Sequence, residues 1–246
     1  MSSPRIIFAG TPEFALASLA ALVAAGWSPV AVLTQPDRPA GRGRRMTASP
    51  VKTYAEQAGI PVLQPATLRD AAAVAGIAAL RPDIIIVAAY GLILPQAVHD
   101  IPAYGCLNVH ASLLPRWRGA APIQAAILAG DESTGISLMG MTAGLDCGPV
   151  FSASPLAIAG DETAGDLHDR LAVLGGELLV EKLQSIPDGE IAADAQDDAL
   201  ATYAPKISKQ DAELDWTMSA DELDRCVRAY NPVPCAFFLV GGTATR

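Results

Sequence analysis

Cysteine is scarce in this sequence of 246 residues, and its spacing excludes two kinds of site. Cys106, Cys147, Cys226 and Cys235 stand singly, without a CxxC pair. This pattern argues against a zinc site and against a disulfide framework, so we expect no metal and four reduced core cysteines. A thiol nucleophile formed by Cys106 and His110 is disfavoured, because a cysteine within an apolar strand usually acts as a small hydrophobe.

Long apolar runs are also missing. No stretch approaches the roughly 20 apolar residues that cross a bilayer, and the chain opens with a short strand rather than a signal-peptide pattern. A hydrophobic content of 51% nevertheless allows a large buried core. We therefore expect a globular protein of the cytoplasm, with no membrane partner.

The two glycine-rich motifs that bind phosphate groups, GxGxxG and GxxxxGK, are both absent. The first strand leads into AGTPEF, which contains neither GxGxxG nor GxxxxGK, and the only GxG lies in a basic segment. A dinucleotide or nucleoside triphosphate site is therefore poorly supported.

Positive charge is concentrated in one segment of an acidic chain. The net charge of −9 by itself argues against a nucleic-acid partner. Residues 37–52, however, carry five basic side chains against the single acid Asp37. The basic side chains are Arg38, Arg42, Arg44, Arg45 and Lys52. Such a run is usually solvated surface, and its contrast with the acidic remainder is what singles it out.

Short apolar runs alternate with helical patterns along the first part of the chain. RIIFAG, PVAVLT, PVLQ, DIIIVAAY, GCLNVH and TGISLMG have the composition of strands. Helices are predicted directly after the first strand and over residues 50–59, 66–80 and 121–130. This alternation predicts an α/β fold with a Rossmann-like, doubly wound parallel sheet. Ligands of such sheets bind outside the carboxyl ends of the strands.

The pattern changes after Phe151. ETAGDLHDRLAVLGGELLVEKLQ predicts a long helix, in which Gly175 and Gly176 each cost about 1 kcal/mol. A polar stretch then indicates a linker, followed by a short helix over residues 219–229 and a turn into a strand at NPVPCAFFLVGG. We therefore predict a first domain at 1–186, a linker at 187–208 and the beginning of a second domain at 209–246.

Three side chains are candidates for chemistry at the carboxyl end of the sheet. Asn108 and His110 are two residues apart at the end of a strand, so both point to the same side and both can serve one oxygen. An amide and an imidazole aimed at one point suit acyl transfer. Asp146, in a loop after the next strand, is expected at the same sheet edge and could manage a proton. Plain structural roles explain these residues equally well: a histidine bonded to backbone, and an aspartate in a turn.

Several motifs together carry a family resemblance over nearly the whole chain. They are FAGTPEFA, TQPDRPAGRG, AYGLILP, NVHASLLPRWRGAAPIQ, GLDCGPV and, after the linker, NPVP. The sequence resembles the folate-dependent formyltransferases through NxHxSLLPxxxG and the downstream LDxG. The basic loop, AAPIQ and NPxP resemble the branch of methionyl-tRNA formyltransferases.

The resemblance implies a reaction and roles for the three candidates. A formyl group passes from 10-formyltetrahydrofolate to the α-amino group of methionine carried by the initiator tRNA. Asn108 and protonated His110 hold the oxyanion, and Asp146 favours the protonated imidazole and assists proton removal from the amine. The resemblance also implies a C-terminal β-barrel that begins near the NPxP motif and of which this sequence holds only the start.

The resemblance further implies folate and tRNA contacts. The basic loop is expected to enter the tRNA acceptor stem and to be ordered only with RNA bound, and Phe14 is a candidate contact for the methionine side chain, although it could equally be core. We expect a monomer. The implied tRNA contacts are Arg42, Arg44, Arg45 and Lys52, and the implied folate contacts are Leu92, Leu94, Ser112, Leu113, Leu114, Pro115, Met141 and Thr142.

Two alternatives stay open from the sequence. One is a folate-dependent formyltransferase that acts on a small amine, either glycinamide ribonucleotide or an amino sugar nucleotide, which would leave the basic loop without a purpose. The other is a noncatalytic remnant that binds folate or RNA, although such a protein has no need of Asn108, His110 and Asp146 together.

Overall fold

The strands of the protein fall into one large sheet and three short pairs. The computed structural model describes residues 4–40, 43, 45–186 and 188–245. The strands are β1 (Ile6–Gly10), β2 (Ala31–Leu33), β3 (Arg38–Ala40), β4 (Arg45–Thr47), β5 (Val62–Leu63), β6 (Ile84–Ala88), β7 (Cys106–His110), β8 (Arg118–Gly119), β9 (Ser133–Gly140), β10 (Val150–Ala157), β11 (Tyr203–Ala204), β12 (Phe238–Val240) and β13 (Thr243–Thr245). The helices are α1 (Glu13–Ala24), α2 (Pro50–Gln57), α3 (Ala71–Ala79), α4 (Gln96–His99), α5 (Pro122–Ala129), α6 (Ala164–Lys182) and α7 (Ala220–Ala229).

The large sheet has seven strands in the order β10-β9-β7-β6-β1-β2-β5. The strands from β7 to β5 pair in parallel, which confirms the predicted α/β fold with a Rossmann-like, doubly wound sheet. The sequence did not predict that β9 and β10 extend this sheet as antiparallel strands. Only a loop, residues 141–149, joins β9 to β10, and a connection without a crossover helix can join only antiparallel neighbours.

Helices cover both faces of this sheet. On one face, Leu19 of α1 and Leu171 of α6 pack with alternate strand residues such as Phe8 and Ile86. On the other face, Ile77 of α3 packs with the remaining strand residues, among them Ile85. Burial on both faces explains why the central strands read as continuous apolar runs.

Two glycines let α6 pack closely against its neighbours. A Cβ atom on Gly176 would lie 2.9 Å from Cβ of Ala21 in α1, and one on Gly175 would lie 3.0 Å from Cγ1 of Val109 in β7. The sequence showed only the cost of these glycines to the helix. In the fold, that cost is offset by the close contact between α6, α1 and β7.

The basic segment forms a β-hairpin at its described ends. β3 pairs with β4 in antiparallel register, with Arg38 opposite Thr47. The sequence predicted a loop that becomes ordered only on RNA, so this pairing differs from the expectation. Because the side chains alternate along a two-stranded ribbon, its exposed ladder still presents basic groups such as Arg45. Arg42 and Arg44 lie outside the described residues.

The stretch predicted as a linker is bonded to the first part of the chain. Val150 and Asp194 exchange both backbone hydrogen bonds, at 2.8 and 2.9 Å, and β11 pairs in parallel with β8. Beyond it, α7 begins with a capping box formed by Ser219 and Glu222, and β12 and β13 form the predicted strand region as a hairpin. None of the helices in the described ranges combines the length and hydropathy needed to cross a bilayer.

Candidate active site

A cavity of about 580 Å³ opens where the parallel strands end. Its lining comes from the end of β6, the end of β7, the start of α1 and the loop between β9 and β10. Asn108 and His110 both line it, as their alternate spacing along β7 predicts. Asp146 lines it as well. The structure therefore brings all three predicted catalytic side chains to one cavity.

His110 is held by a backbone carbonyl. Its side chain is only 6% exposed, and its Nε2 lies 3.0 Å from the carbonyl oxygen of Trp117. Because a carbonyl can only accept, this contact places a hydrogen on Nε2. Nδ1 then faces Asp146, whose Oδ2 lies 3.9 Å away. The histidine thus has both the structural bond and the carboxylate neighbour that the sequence left as alternatives.

Asp146 reaches His110 by a route that the sequence did not predict. Because β9 is antiparallel to β7, its last residue Gly140 lies beside Leu107, near the amino end of β7. The loop that follows must fold back along β7 before its carboxylate can meet the imidazole. The backbone N–H of Gly119 donates to Oδ2 of Asp146 at 2.8 Å and holds it there. The sequence correctly placed Asp146 near His110. The reason given for this, that the loop leaves the sheet at the carboxyl end of β7, was wrong.

Gly119 occupies a position that only glycine fits. Its φ is +117°, and a Cβ atom there would lie 2.5 Å from the carbonyl oxygen of Ala204. A side chain at this position would push β8 away from β11 and move the N–H that binds Asp146. The sequence motif ending in RWRG contained this signal, since a lone glycine after a turn often marks a special backbone geometry.

Asn108 differs from its two neighbours in lacking a partner. Within the described part of the chain, no group forms a hydrogen bond with its carboxamide, and the side chain is only partly buried. An amide N–H that faces a cavity without a protein acceptor is available to an oxygen of a bound molecule.

The predicted folate contacts divide into two groups. Leu92, Leu94 and Met141 line the cavity together with other apolar side chains, as a binding slot for a flat ring requires. Thr142 is exposed and lies outside the lining. The remaining predicted contacts, residues 112–115, also lie outside it.

Residues 112–115 instead form the turn that carries Trp117 to His110. Ser112 is fully buried and donates from Oγ to the carbonyl of Arg116 at 2.6 Å. Ser137 of β9 donates to the carbonyl of Ser112 at 2.7 Å and accepts from the N–H of Leu114 at 3.1 Å. These bonds tie the turn to the sheet and fix the carbonyl that orients the imidazole.

An aromatic pair forms another part of the cavity wall. Phe14 lines the cavity and is 6% exposed, and its ring meets that of His168 edge-on with 5.8 Å between centroids. The sequence predicted Phe14 as a contact but missed His168 of α6. No local motif marks this histidine, which reaches the site only because α6 packs beside α1.

The two predicted tRNA contacts that the structure describes, Arg45 and Lys52, lie outside the cavity lining. Arg45 is exposed on β4. Lys52, at the start of α2, forms an ion pair of 2.7 Å with Asp37, which also accepts from Gln64 at 2.8 Å. These contacts lower the pKa of Asp37 and raise that of Lys52, through the hydrogen bond between them. Part of the charge that the sequence assigned to this segment is therefore neutralised locally.

The burial of Cys106 disfavours a thiol nucleophile beside His110. Cys106 is buried at the start of β7, and this burial raises the pKa of its thiol to about 12, so it stays protonated near neutral pH. Cys147 is exposed, so its prediction as a core residue was wrong. The residues described by the structure contain no cluster of three or more side chains suited to hold a metal.

The family of the chain follows from its sequence matches. The sequence model of the formyl transferase family matches residues 4–183, and that of the formyl transferase C-terminal domain matches residues 206–246. The chain belongs to the formyl transferase family. It is 56% identical to a methionyl-tRNA formyltransferase of Stutzerimonas stutzeri, in a match that covers 100% of this chain and 79% of the relative.

Solved structures show the same fold at much lower identity. A sugar N-formyltransferase from Shewanella has a TM-score of 0.77 and 15% identity, with coverage of 99% of this chain and 96% of that chain. HypX from Aquifex aeolicus, solved in complex with tetrahydrofolic acid, has a TM-score of 0.70 and 19% identity, over 99% of this chain and 37% of that chain.

Proposed function

We propose that this protein transfers a formyl group from 10-formyltetrahydrofolate to the α-amino group of methionine on initiator methionyl-tRNA. The convergence of Asn108, His110 and Asp146 on one cavity carries this assignment. Relatives that are 56% identical and bear the name methionyl-tRNA formyltransferase support the tRNA substrate over a small amine. The sugar N-formyltransferase, at 15% identity, supports only the shared fold.

The cavity suits the folate donor, which supplies the formyl group when bound. Its volume of about 580 Å³ lies within the range of small-molecule sites. Leu92, Leu94 and Met141 give it an apolar wall, and Asn108 gives it a donor that is bonded to none of the described residues. An apolar slot that also presents a polar donor fits a flat heterocycle that carries a carbonyl.

Each of the three side chains has a distinct task in this reaction. The carboxamide of Asn108 donates to the oxygen that becomes negative as the amine attacks. His110 acts in its protonated form: Nε2–H stays on the Trp117 carbonyl, and Nδ1–H, whose distance of 3.9 Å from Oδ2 of Asp146 is too long for a hydrogen bond, donates to the same oxygen as Asn108. Asp146 balances the imidazolium and assists removal of the proton from the amine. The bond between the formyl carbon and N10 then breaks, tetrahydrofolate leaves with a proton on N10, and no covalent bond to the protein is needed.

The aromatic wall and the basic hairpin are assigned to the tRNA substrate. Phe14 would contact the methionine side chain, since it presents an apolar ring to the same cavity. Arg45 would contact the phosphate backbone of the acceptor stem together with Arg42 and Arg44, while Lys52 supports the hairpin through Asp37. A concentrated positive segment on an acidic protein gives RNA a single preferred approach.

The domain bounds, the cellular location and the oligomeric state of the protein stay predictions. Residues 1–186 would form the catalytic domain and residues 209–246 part of the tRNA-binding domain, with 187–208 between them; the two family matches support this division. The proposed substrate, a component of protein synthesis, supports a location in the cytoplasm. Light scattering, which measures the mass in solution, tests the expected monomer.

The deciding experiment is transfer of labelled formyl from 10-formyltetrahydrofolate to charged initiator tRNA, glycinamide ribonucleotide and an amino sugar nucleotide. We expect transfer to tRNA alone, and we expect His110→Ala to abolish it while folate binding survives. Transfer to a small amine without transfer to tRNA would establish the alternative substrate. Near-normal turnover by His110→Ala would refute the assigned chemistry, and folate or RNA binding without turnover by the unaltered chain would establish the noncatalytic alternative.

A further inference from the structure

Gln196 contacts the loop of Asp146 from a distant part of the chain. Its side-chain Nε2 donates to two backbone carbonyls of that loop, Asp146 at 2.9 Å and Gly148 at 2.7 Å. It lies two residues beyond Asp194, which exchanges both backbone hydrogen bonds with Val150 at the other end of the same loop. A single side chain thus spans the carbonyls on either side of Cys147.

A buried arginine fixes the orientation of this amide. Nε of Arg118 donates to Oε1 of Gln196 at 3.0 Å, and the Arg118 side chain is only 3% exposed. A guanidinium only donates and a carbonyl only accepts, so all three contacts are satisfied in one orientation of the amide. A second bond, from Arg118 to Asp198 at 2.8 Å, holds the guanidinium itself. Arg118 also immediately precedes Gly119, whose N–H binds the Asp146 carboxylate.

The loop needs such support because neither its strands nor its own backbone preference places Asp146. β9 ends beside the amino-terminal half of β7, away from His110. Asp146 itself has a φ of +47°, a left-handed conformation that a residue with a Cβ adopts at a cost. Non-glycine residues hold such a conformation only where surrounding contacts fix it. Gln196 and Gly119 supply those contacts.

We propose that Gln196 is a positioning residue for catalysis, which holds the Asp146 carboxylate beside His110. This role rests on the function proposed for Asp146. Gln196 does not line the cavity, so it acts through the loop and not on the substrate. The segment that the sequence predicted as a linker thereby completes the catalytic site.

Two substitutions of similar size test this role. Gln196→Glu keeps the acceptor for Arg118 and loses both donors to the loop, whereas Gln196→Met loses all three contacts without adding charge. We expect both to lower kcat for formyl transfer by about 10- to 100-fold, as small displacements of catalytic groups do. We expect the KM for 10-formyltetrahydrofolate to stay within roughly twofold, because Gln196 bonds the loop at Asp146 and Gly148, whereas Met141 of the folate slot is held separately by its N–H to the carbonyl of Cys106 at 2.7 Å. Gln184→Glu, a matched change of an exposed amide at the end of α6, should behave as the unaltered protein.

The outcomes separate the positioning role from its alternatives. Equal loss of kcat in both variants, with unchanged KM and unchanged unfolding midpoint, supports it. Full activity of Gln196→Glu beside an impaired Gln196→Met would show that anchoring Arg118 is what counts, and overturns it. A parallel rise of KM and fall of the unfolding midpoint would show a merely structural role, and also overturns it. Asp146→Asn is measured alongside: normal turnover there refutes the proposed function of Asp146, whereas its loss beside normal Gln196 variants refutes only the positioning role.

Discussion

Substitution of Asn108 is expected to lower the catalytic rate with little change in the free energy of unfolding. The other two side chains to which we assign catalysis are bonded to the protein: His110 to the Trp117 carbonyl and Asp146 to the Gly119 N–H. The carboxamide of Asn108 forms no hydrogen bond among the described residues, so its removal breaks no native contact of that kind. We therefore expect Asn108→Ala to change the free energy of unfolding by no more than about 0.5 kcal/mol, as at sites without a structural role.

The expected loss of rate in Asn108→Ala is large by comparison. A single donor to a developing oxyanion contributes about 2.7–4 kcal/mol, which corresponds to a 10²- to 10³-fold loss of kcat. Asn108→Asp should lose at least as much despite its similar size, because it replaces the N–H by an acceptor that repels the oxyanion. His110→Ala should lose rate and also stability, because the partly buried Trp117 carbonyl loses its hydrogen-bond partner, which costs about 1 kcal/mol.

Single-turnover formylation of charged initiator tRNA at saturating 10-formyltetrahydrofolate measures the rate, and urea unfolding measures the stability. Gln184→Ala serves as the amide control outside the site. A kcat for Asn108→Ala within about threefold of the unaltered protein would refute the oxyanion role, since it leaves less than 1 kcal/mol for the donor. A large fall in stability would refute the inference that this carboxamide is reserved for a ligand.

Three further predictions follow from contacts outside the oxyanion site. Arg45→Ala should raise the KM for tRNA and lower the slope of log affinity against log salt by about one, whereas Lys52→Ala should change both less, because Asp37 already pairs with its ammonium; filter binding across salt concentrations checks this. Cys106→Ala should retain kcat, and a thiol reagent at pH 8 should modify exposed Cys147 but not Cys106, whose pKa of about 12 keeps it protonated; mass spectrometry identifies the modified residue. In the capping box of α6, hydrogen bonds from Thr163 lower the pKa of Asp166. That contribution to stability is present above the ordinary carboxyl pKa of 3.8 and is lost as the pH falls through the lower folded value, so Asp166→Asn should flatten the acid limb of a urea midpoint profile.

Much of the fold followed from local patterns. The apolar run of β6 predicted a strand, and α1, the helix predicted directly after the first strand, covers one face of the sheet together with α6. Asn108 and His110 share a side because successive residues of a strand alternate. These features depend on residues that are close in sequence, which is why the sequence alone predicts them.

The parts that sequence did not predict depend on contacts between distant segments. The direction of β9 is set by its antiparallel pairing with β7. The loop of Asp146 therefore starts near the amino end of β7 and not at the carboxyl end that the sequence argument assumed. His168 reaches Phe14 only through the packing of α6 on α1, which Gly176 permits. Gln196 lies in a polar stretch whose composition predicts a linker, and composition carries no information about the two carbonyls it binds.

The three side chains of the site are therefore held in place in two different ways. Asn108 and His110 sit on a central strand, where the sheet itself fixes their positions. Asp146 sits on a loop in an unfavourable backbone conformation, and its position depends on Gly119 and on a segment that follows α6. A carboxylate that must approach an imidazolium and then assist a proton transfer needs a defined distance to both partners. The hydrogen bonds from Gln196 to the loop backbone set that distance without using either carboxylate oxygen.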